Sequence, residues 1–554
     1  MSANKKQSFQ YGAVILLFSA FAVKLIGALF KIPLSGKNCL GDIGFGYFSS
    51  AYDIFTPFYT MAMTGLPVAV AKLTAEYAAA GKYDRAAGLL KVSRKIYFAV
   101  GCAVFLIMCA GIYPFVKITD PTGDTFYSLA ACFPSVIFCF VMSAYRGYYE
   151  GMRNMYPTAF SELAEALCKL ILGLGFAYTA IKITGSTVIA AAAAISGITL
   201  GTAAAFLVLV VYHAKENKLK ASDESKLSRK TVISFFAVAV PVAFASLSVN
   251  IPVIADAVTV KWQLNGLSAQ LSDALKNLFP ASFAEFLNTS QSYDTGDISV
   301  WLYGIRGKAY TLYNLIPAFV SVLAVSAVPA IASDNASGGV SAAKGSVETV
   351  LKWSALISLP AGIGFIAAGE PVMELLYDTY ASGEIGGVLL RIFGAAVIFS
   401  GISIPMTGIL QAFGKQKKAL LIIAAGAAVK FIVSFITVSQ PEINIAGAAI
   451  STLACYAFIF AAEYYVLIKT LGAFPDIIKT FIKPLTAACL SGAAAFLILA
   501  AGKSSFITVS AIAVSALTFF LALILLNSFE ESDFLSMPKG EKIIQFCKKC
   551  KIIR

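Results

Sequence analysis

The chain has 554 residues, of which 58% are hydrophobic and only 13% charged, with a mean hydropathy of +0.79. A soluble chain carries about 25% charged residues to cover its surface, so the composition excludes a soluble globular protein and points to an integral membrane protein. The formal net charge is +13. Beside so much apolar surface it reads as loop charge that fixes orientation, and nucleic acid is not an expected partner.

Stretches of about twenty apolar residues bounded by charge or turn signals predict fourteen crossings. They fall at 8–32, 46–71, 92–116, 126–148, 157–181, 187–212, 231–260, 306–331, 350–371, 388–410, 419–438, 444–467, 481–501 and 505–527. Lys5 and Lys6 before the first run resemble a signal peptide, but the run is too long for one and Lys24 interrupts it, so it counts as a crossing. The expected organisation is a first lobe of six crossings (1–213), a cytoplasmic linker (214–230) and a second lobe of six (231–470). Crossings 13 and 14 (471–527) and a basic cytoplasmic tail (528–554) follow.

The outer loop 262–300 carries Leu264, Leu267, Leu271, Leu275 and Leu278 at helical spacing. It reads either as an amphipathic helix on the outer surface or as a lid packed on its own protein. The tail, ending GEKIIQFCKKCKIIR, reads as a basic interfacial segment drawn to anionic membrane lipids. Its Cys547 and Cys550 form a lone CxxC without the second pair a zinc site needs. Cys102/Cys109 and Cys132/Cys139 are seven apart, which predicts shared, packed helix faces. His213 is the only histidine, so no His-based catalysis or metal cluster is available. GxxxxGK[ST] does not occur, which excludes ATP as the direct drive and leaves coupling to H+ or Na+, the membrane potential, or downhill movement; no cofactor is expected.

Lysine and arginine alone decide orientation. With the N-terminus inside, thirty of the 43 fall in cytoplasmic segments and ten outside, while Lys24, Lys169 and Lys430 lie within crossings. Both termini are therefore expected in the cytoplasm.

An internal repeat is visible without gaps. SAYRGYYEGMRNMYPTAFSELAEALCKLIL (143–172) sets on IPMTGILQAFGKQKKALLIIAAGAAVKFIV (404–433), placing Gly147 on Gly408 and Lys169 on Lys430. TGLPVAVAKL (64–73) sets on SAVPAIASDN (326–335), with Pro67 on Pro329. The aligned crossings run in the same direction, as in parallel-repeat transporters. The predicted fold class is an all-α integral membrane protein of about fourteen helices, with two pseudo-symmetric six-helix lobes.

Crossing 5 carries Glu162, Glu165 and Lys169 at i, i+3 and i+7. At 100° per residue all three share one helix face, and it cannot face lipid. Glu165 and Lys169 are spaced to pair with each other. Lys169 is twelve residues beyond Pro157, so about 18 Å along a helix and near mid-membrane. Lys24 and Lys31 share a face of crossing 1; snorkelling explains Lys31 better than Lys24. Asp53, Asp256 and Glu463 are further embedded acids, each as consistent with helix pairing as with function. Arg146 and Arg153 flank the cytoplasmic turn between crossings 4 and 5, where topology or a hinge contact is expected. The candidate substrate-binding set is Lys24, Lys31, Asp53, Glu162, Glu165, Lys169, Asp256 and Lys430. Several fixed cations suggest an anionic cargo, with phosphate or pyrophosphate the obvious group.

YRGYYEGMRNMYPTAFSELAEALCKLI resembles the crossing 4–5 signature of the polysaccharide-transport and stage V sporulation protein B-like flippases. These are relatives of MurJ-type lipid II flippases, in the superfamily that includes MATE exporters. SAFAVKLIGALFKIPL, TGLPVAVAKLTAEYAAAGKYDRA, LYGIRGKAYTLYNLIPAF and TGILQAFGKQKKALL resemble further family stretches at the corresponding crossings, nearly throughout the chain. The resemblance implies movement of an undecaprenyl-pyrophosphate-linked oligosaccharide, such as lipid II, to the outer leaflet of a bacterial cytoplasmic membrane. The two lobes would rock, Lys24 and Lys31 would line the cavity, and the cell-wall synthesis machinery would be a candidate partner. Crossing 11 has no acidic residue, unlike the sodium site of some relatives, and the 262–300 loop is longer than the resemblance implies. A MATE-type exporter of cationic drugs is the alternative, as is an exopolysaccharide repeat-unit flippase. A cation-lined site disfavours the exporter. A membrane-embedded transferase would need a loop-borne acid or His cluster, and none is visible.

Overall fold

A computed structural model of the protein describes residues 9–217, 229–293, 297–472, 476–502 and 504–529. Lys5, Lys6, most of the 214–230 linker and nearly all of the basic tail, with its CxxC, lie outside the described residues.

The described chain is built of helices. The first six are α1 (Phe9–Leu34), α2 (Gly41–Ala79), α3 (Tyr83–Thr119), α4 (Thr125–Gly151), α5 (Tyr156–Thr184) and α6 (Thr187–Asn217). Next come α7 (Arg229–Gly266), the short α8 (Ser268–Leu278) and α9 (Pro280–Tyr293) of the outer loop, and the long α10 (Ile298–Tyr377). The last five are α11 (Tyr380–Ala412), α12 (Gln416–Val438), α13 (Ala446–Leu471), α14 (Ile478–Leu499) and α15 (Ser505–Leu525). Each of the fourteen expected crossings falls on a helix. Among the described residues, eleven helices are long and apolar enough to cross a membrane by length and composition.

Local chemistry sets several boundaries. Pro157 in the first turn of α5 leaves no donor wasted, and Gly185 at φ 68° ends the helix, its N–H bonding the Ile181 carbonyl at 2.9 Å. Thr379 caps α11 by accepting from the Ser382 N–H at 3.2 Å. Met61–Gly65 of α2 is a π-helical turn between Pro57 and Pro67, where missing proline donors loosen the ladder. α10 carries two expected crossings on one path because Gly339, at φ 70° and ψ −168°, breaks the helix between them.

Two compact units divide the chain: Met1–Ser272 with Phe286–Gly307, and Asp273–Glu285 with Lys308–Arg554. They do not divide where the sequence placed the lobe boundary, at 231. α7 packs along α2 and α3 and so groups with the first six helices. The repeat itself has a structural counterpart in each unit. Gly147 of α4 packs so closely on α2 that an added Cβ would lie 2.8 Å from Val70 Cβ and collide with the Pro67 carbonyl. Gly408 of α11 packs likewise on α10, 2.8 Å from Val328 Cγ2 by the same measure. The aligned glycines thus meet the aligned proline-bearing segments. In unit two, α14 and α15 contribute Ala487, Ala488, Phe519 and Leu523 to one core with Leu351, Met406 and Leu467.

In the outer loop, Leu264, Leu271 and Leu275 are buried while Leu278 is exposed. The apolar stripe is therefore packed on its own protein. Cys132 and Cys139 are buried, but Cys109 is exposed and Cys102 half-buried. Spacing by seven fixes that two residues share a face, not which way the face points.

Candidate functional site

The embedded charges of unit one are placed by helices that touch through glycine. On α6, a Cβ at Gly197 would collide with the Gly173 backbone of α5, and one at Gly201 would sit 2.9 Å from the Glu165 carbonyl oxygen. Small residues let two membrane helices approach backbone to backbone, which pins α5 at the level of Glu165 and Lys169.

The expected Glu165–Lys169 pair does not form. Glu165 Oε2 lies 3.2 Å from Arg146 Nη2 on α4, and Glu162 Oε1 lies 4.0 Å from Arg146 Nη1. The Arg146 guanidinium also donates to Ser161 Oγ at 3.1 Å and approaches Met63 Sδ at 3.0 Å, in the π-helical turn of α2. Glu162 accepts a second bond from Ser19 of α1 at 2.9 Å. Arg146 is 3% exposed, so it is a buried centre of three helices and not only a topology signal. The fork of a guanidinium serves two carboxylates at once, which a lysine one turn away on the same helix cannot match.

Released from Glu165, Lys169 turns to α2. Its Nζ lies 3.4 Å from Tyr52 Oη and 4.9 Å from the centre of that ring. Lys31 of α1 places its Nζ 4.2 Å over the same ring. Lys31 is half-buried on an aromatic face, where the sequence suggested snorkelling. Two ammonium groups thus converge on Tyr52 through cation–π contacts. Lys24, two turns earlier on α1, is exposed.

One residue beyond Tyr52, Asp53 joins a second buried arginine. Arg306, 2% exposed, holds Asp256 of α7 at 2.6 Å and Asp53 at 3.6 Å, and Tyr303 donates to Asp53 at 2.6 Å. Asp53 and Asp256 therefore belong to one helix-bridging cluster. Backbone contact again sets the geometry: a Cβ on Gly304 of α10 would collide with the Asp42 carbonyl of α2, and one on Gly46 with that of Val300. Only glycine at both positions brings Arg306 within reach of Asp53.

At the ends of these helices lies a further polar knot. Lys261 is fully buried and bonds Ser50 Oγ at 3.1 Å. Asp120, between α3 and α4, accepts from the Thr125 N–H and the Thr122 hydroxyl, both at 2.7 Å. Burial alone would raise the Asp120 carboxyl, but Lys261 and these hydrogen bonds outweigh it and hold it below the usual 3.8.

The structure thus gathers seven of the eight sequence candidates in unit one, while buried Lys430 of α12 belongs to unit two. Sequence reasoning missed Tyr52, Tyr303 and Arg306. Arg306 sits at the edge of an expected crossing, where a charge reads as a flank, and nothing in the sequence marks which tyrosine two distant lysines will share.

Among the described residues, eleven helices long and apolar enough to cross a membrane, with buried arginine–carboxylate clusters tying helices together, define a multi-pass membrane protein. The chain belongs to the polysaccharide biosynthesis protein family, whose pattern matches residues 10–334. Within it, the chain is similar to stage V sporulation protein B of Bacillus subtilis (strain 168), 25% identical over 453 residues and covering 80% of this chain and 81% of that one. It is 23% identical over 560 residues to the uncharacterized membrane protein YabM of Bacillus subtilis (strain 168), covering 98% of each chain. It is 23% identical over 487 residues to the lipid II flippase MurJ of the same organism, covering 83% of this chain and 84% of that one. Among solved structures, a lipid II flippase MurJ in an inward closed conformation matches with a TM-score of 0.65 at 14% identity, covering 92% of this chain and 98% of that one. This last likeness shows a shared fold.

Proposed function

We propose that this protein is a flippase that carries a lipid-linked oligosaccharide across the cytoplasmic membrane by alternating access, with both termini in the cytoplasm. The cargo is an undecaprenyl-pyrophosphate-linked peptidoglycan precursor such as lipid II. One observation carries the anionic half of this reading. In unit one the four embedded acids lie with two arginines, while Lys31 and Lys169 meet an aromatic ring and, among the described residues, pair with no carboxylate. Two lysines held on Tyr52 can meet an incoming pyrophosphate with N–H donors and positive charge. The same pairing disfavours a cationic drug, which would find its carboxylates already neutralised. Relatives named for lipid II flipping and sporulation support the substrate class.

The test is leaflet exchange in proteoliposomes, comparing lipid II with an unrelated undecaprenyl-linked glycan. Translocation of neither would sink the reading. A hydrogen bond to a charged group contributes about 1.5–3 kcal/mol, so Lys31→Ala and Lys169→Ala are each expected to slow translocation by about tenfold or more. Lys430→Ala is expected to impair it as well. Normal rates with all three lysines removed singly would return them to a structural role.

A further inference from the structure

The repeat puts different chemistry at equivalent places in the two units. The shift of 261 residues that sets Gly147 on Gly408 also sets Arg146 on Thr407. In unit one this position of α4 supplies a guanidinium to the carboxylates beside it. In unit two the same position of α11 supplies only a hydroxyl, and it too meets an embedded acid. Thr407 Oγ1 lies 2.6 Å from Glu463 Oε1 on α13.

Glu463 is 0% exposed, and among the described residues its Oε2 has no hydrogen-bond partner. Among the described residues, no lysine or arginine reaches it within ion-pair distance. Charged or titratable groups on helices packed around α13 include Glu384 and Arg391 on α11, Lys417, Lys418 and Lys430 on α12, Tyr313 and Lys352 on α10, and Lys479 and Lys483 on α14; Cys455, Tyr456, Tyr464, Tyr465 and Lys469 lie on α13 itself. None forms an ion pair with Glu463. An ionised carboxylate so placed, within a helix of membrane-crossing length, costs several kcal/mol.

Hydrogen-bond accounting leads to the same place. The Thr407 hydroxyl has one hydrogen but two acceptor neighbours, Glu463 Oε1 at 2.6 Å and the Ser403 carbonyl at 3.2 Å. With Glu463 ionised, only one of these contacts can be a hydrogen bond. With a proton on Oε1, the carboxyl O–H donates to Thr407 Oγ1 and the Thr407 O–H donates to Ser403. Both contacts are then satisfied, and Oε2 is left as a neutral carbonyl instead of a bare charge.

We propose that Glu463 is a proton-binding site of unit two, occupied in this conformation, whose release and uptake of a proton drives transport. Glu463 takes up a proton from water on one side of the membrane before Thr407 closes on it, and releases one to water on the other side when α11 and α13 separate, leaving a carboxylate. The coupling half rests on the flippase reading above; the occupied site does not.

Infrared difference spectra of the full chain in lipid nanodiscs, taken between neutral and alkaline pH, read the carboxyl directly. The expected result is a carboxylic-acid C=O band at neutral pH that is lost in Glu463→Gln and shifted in Thr407→Val. Absence of a Glu463-dependent band in the wild type would overturn the site. Glu463→Gln keeps the shape and one donor, and its unfolding midpoint checks that it folds. In proteoliposomes with lipid II, an imposed proton gradient should accelerate the wild type, and Glu463→Gln should show no such acceleration. Equal acceleration in both would overturn the coupling. If the wild type moves no lipid II, the flippase reading and the coupling fall together, and the infrared band alone decides the proton site.

Discussion

Replacing Arg146 with Met is the sharpest perturbation of the buried network. Methionine preserves most of the volume and flexibility but removes the guanidinium that faces two acids. Glu165, whose side chain is 11% exposed and 3.2 Å away, would be left buried and uncompensated. Glu162 is 28% exposed at 4.0 Å, so solvent screens it and its share is small. Removing one partner of a buried pair costs about 3–5 kcal/mol, whereas removing the whole pair is often near neutral. Arg146→Met is therefore expected to lose about 3–5 kcal/mol, and Arg146→Met with Glu165→Gln to recover most of it. Reversible unfolding in mixed micelles, run as a double-mutant cycle with Glu165→Gln alone, measures the coupling. A loss below about 1 kcal/mol in the single mutant, or no recovery in the double, would refute the claim that Arg146 acts by neutralising Glu165.

Two other outcomes follow from the geometry. Gly304→Ala should prevent the α2–α10 approach, because its Cβ would occupy the place of the Asp42 carbonyl; expression and thermal unfolding read this, and a wild-type midpoint would contradict it. Asp120 has a carboxyl held below its ordinary value, so its contribution is full above about pH 3.8 and is lost as pH falls through the lower folded value. Asp120→Asn should destabilise at neutral pH and flatten the acid limb of the stability profile. An unchanged acid limb would show that Asp120 contributes nothing there.

Much of the fold was legible because membrane burial demands long apolar runs, and each of those runs falls on a helix. The repeat was legible too, since Gly147 and Gly408 mark the same close crossing in both units. The partners of the charges were not. Glu165 and Lys169 have ideal spacing to pair, yet Arg146, nineteen positions earlier in the sequence, takes Glu165. Arg306 is 253 positions from Asp53, a separation no local pattern encodes. The lobe boundary escaped for a related reason: α7 is a helix by its own sequence, but which helices it packs on depends on surfaces far away.

By itself, the sequence determined that this is an all-helical membrane protein, where its helices lie, and that one face of α5 must avoid lipid. Those follow from transfer energetics and helical periodicity, which act within about twenty residues. Only the tertiary structure decided that two arginines collect four embedded acids of unit one, that Lys31 and Lys169 share Tyr52, and that Glu463 meets the hydroxyl of Thr407, at the position where unit one carries the Arg146 guanidinium. Charge compensation in a low-dielectric interior is settled between helices, by whichever partner the packing brings within a few ångströms.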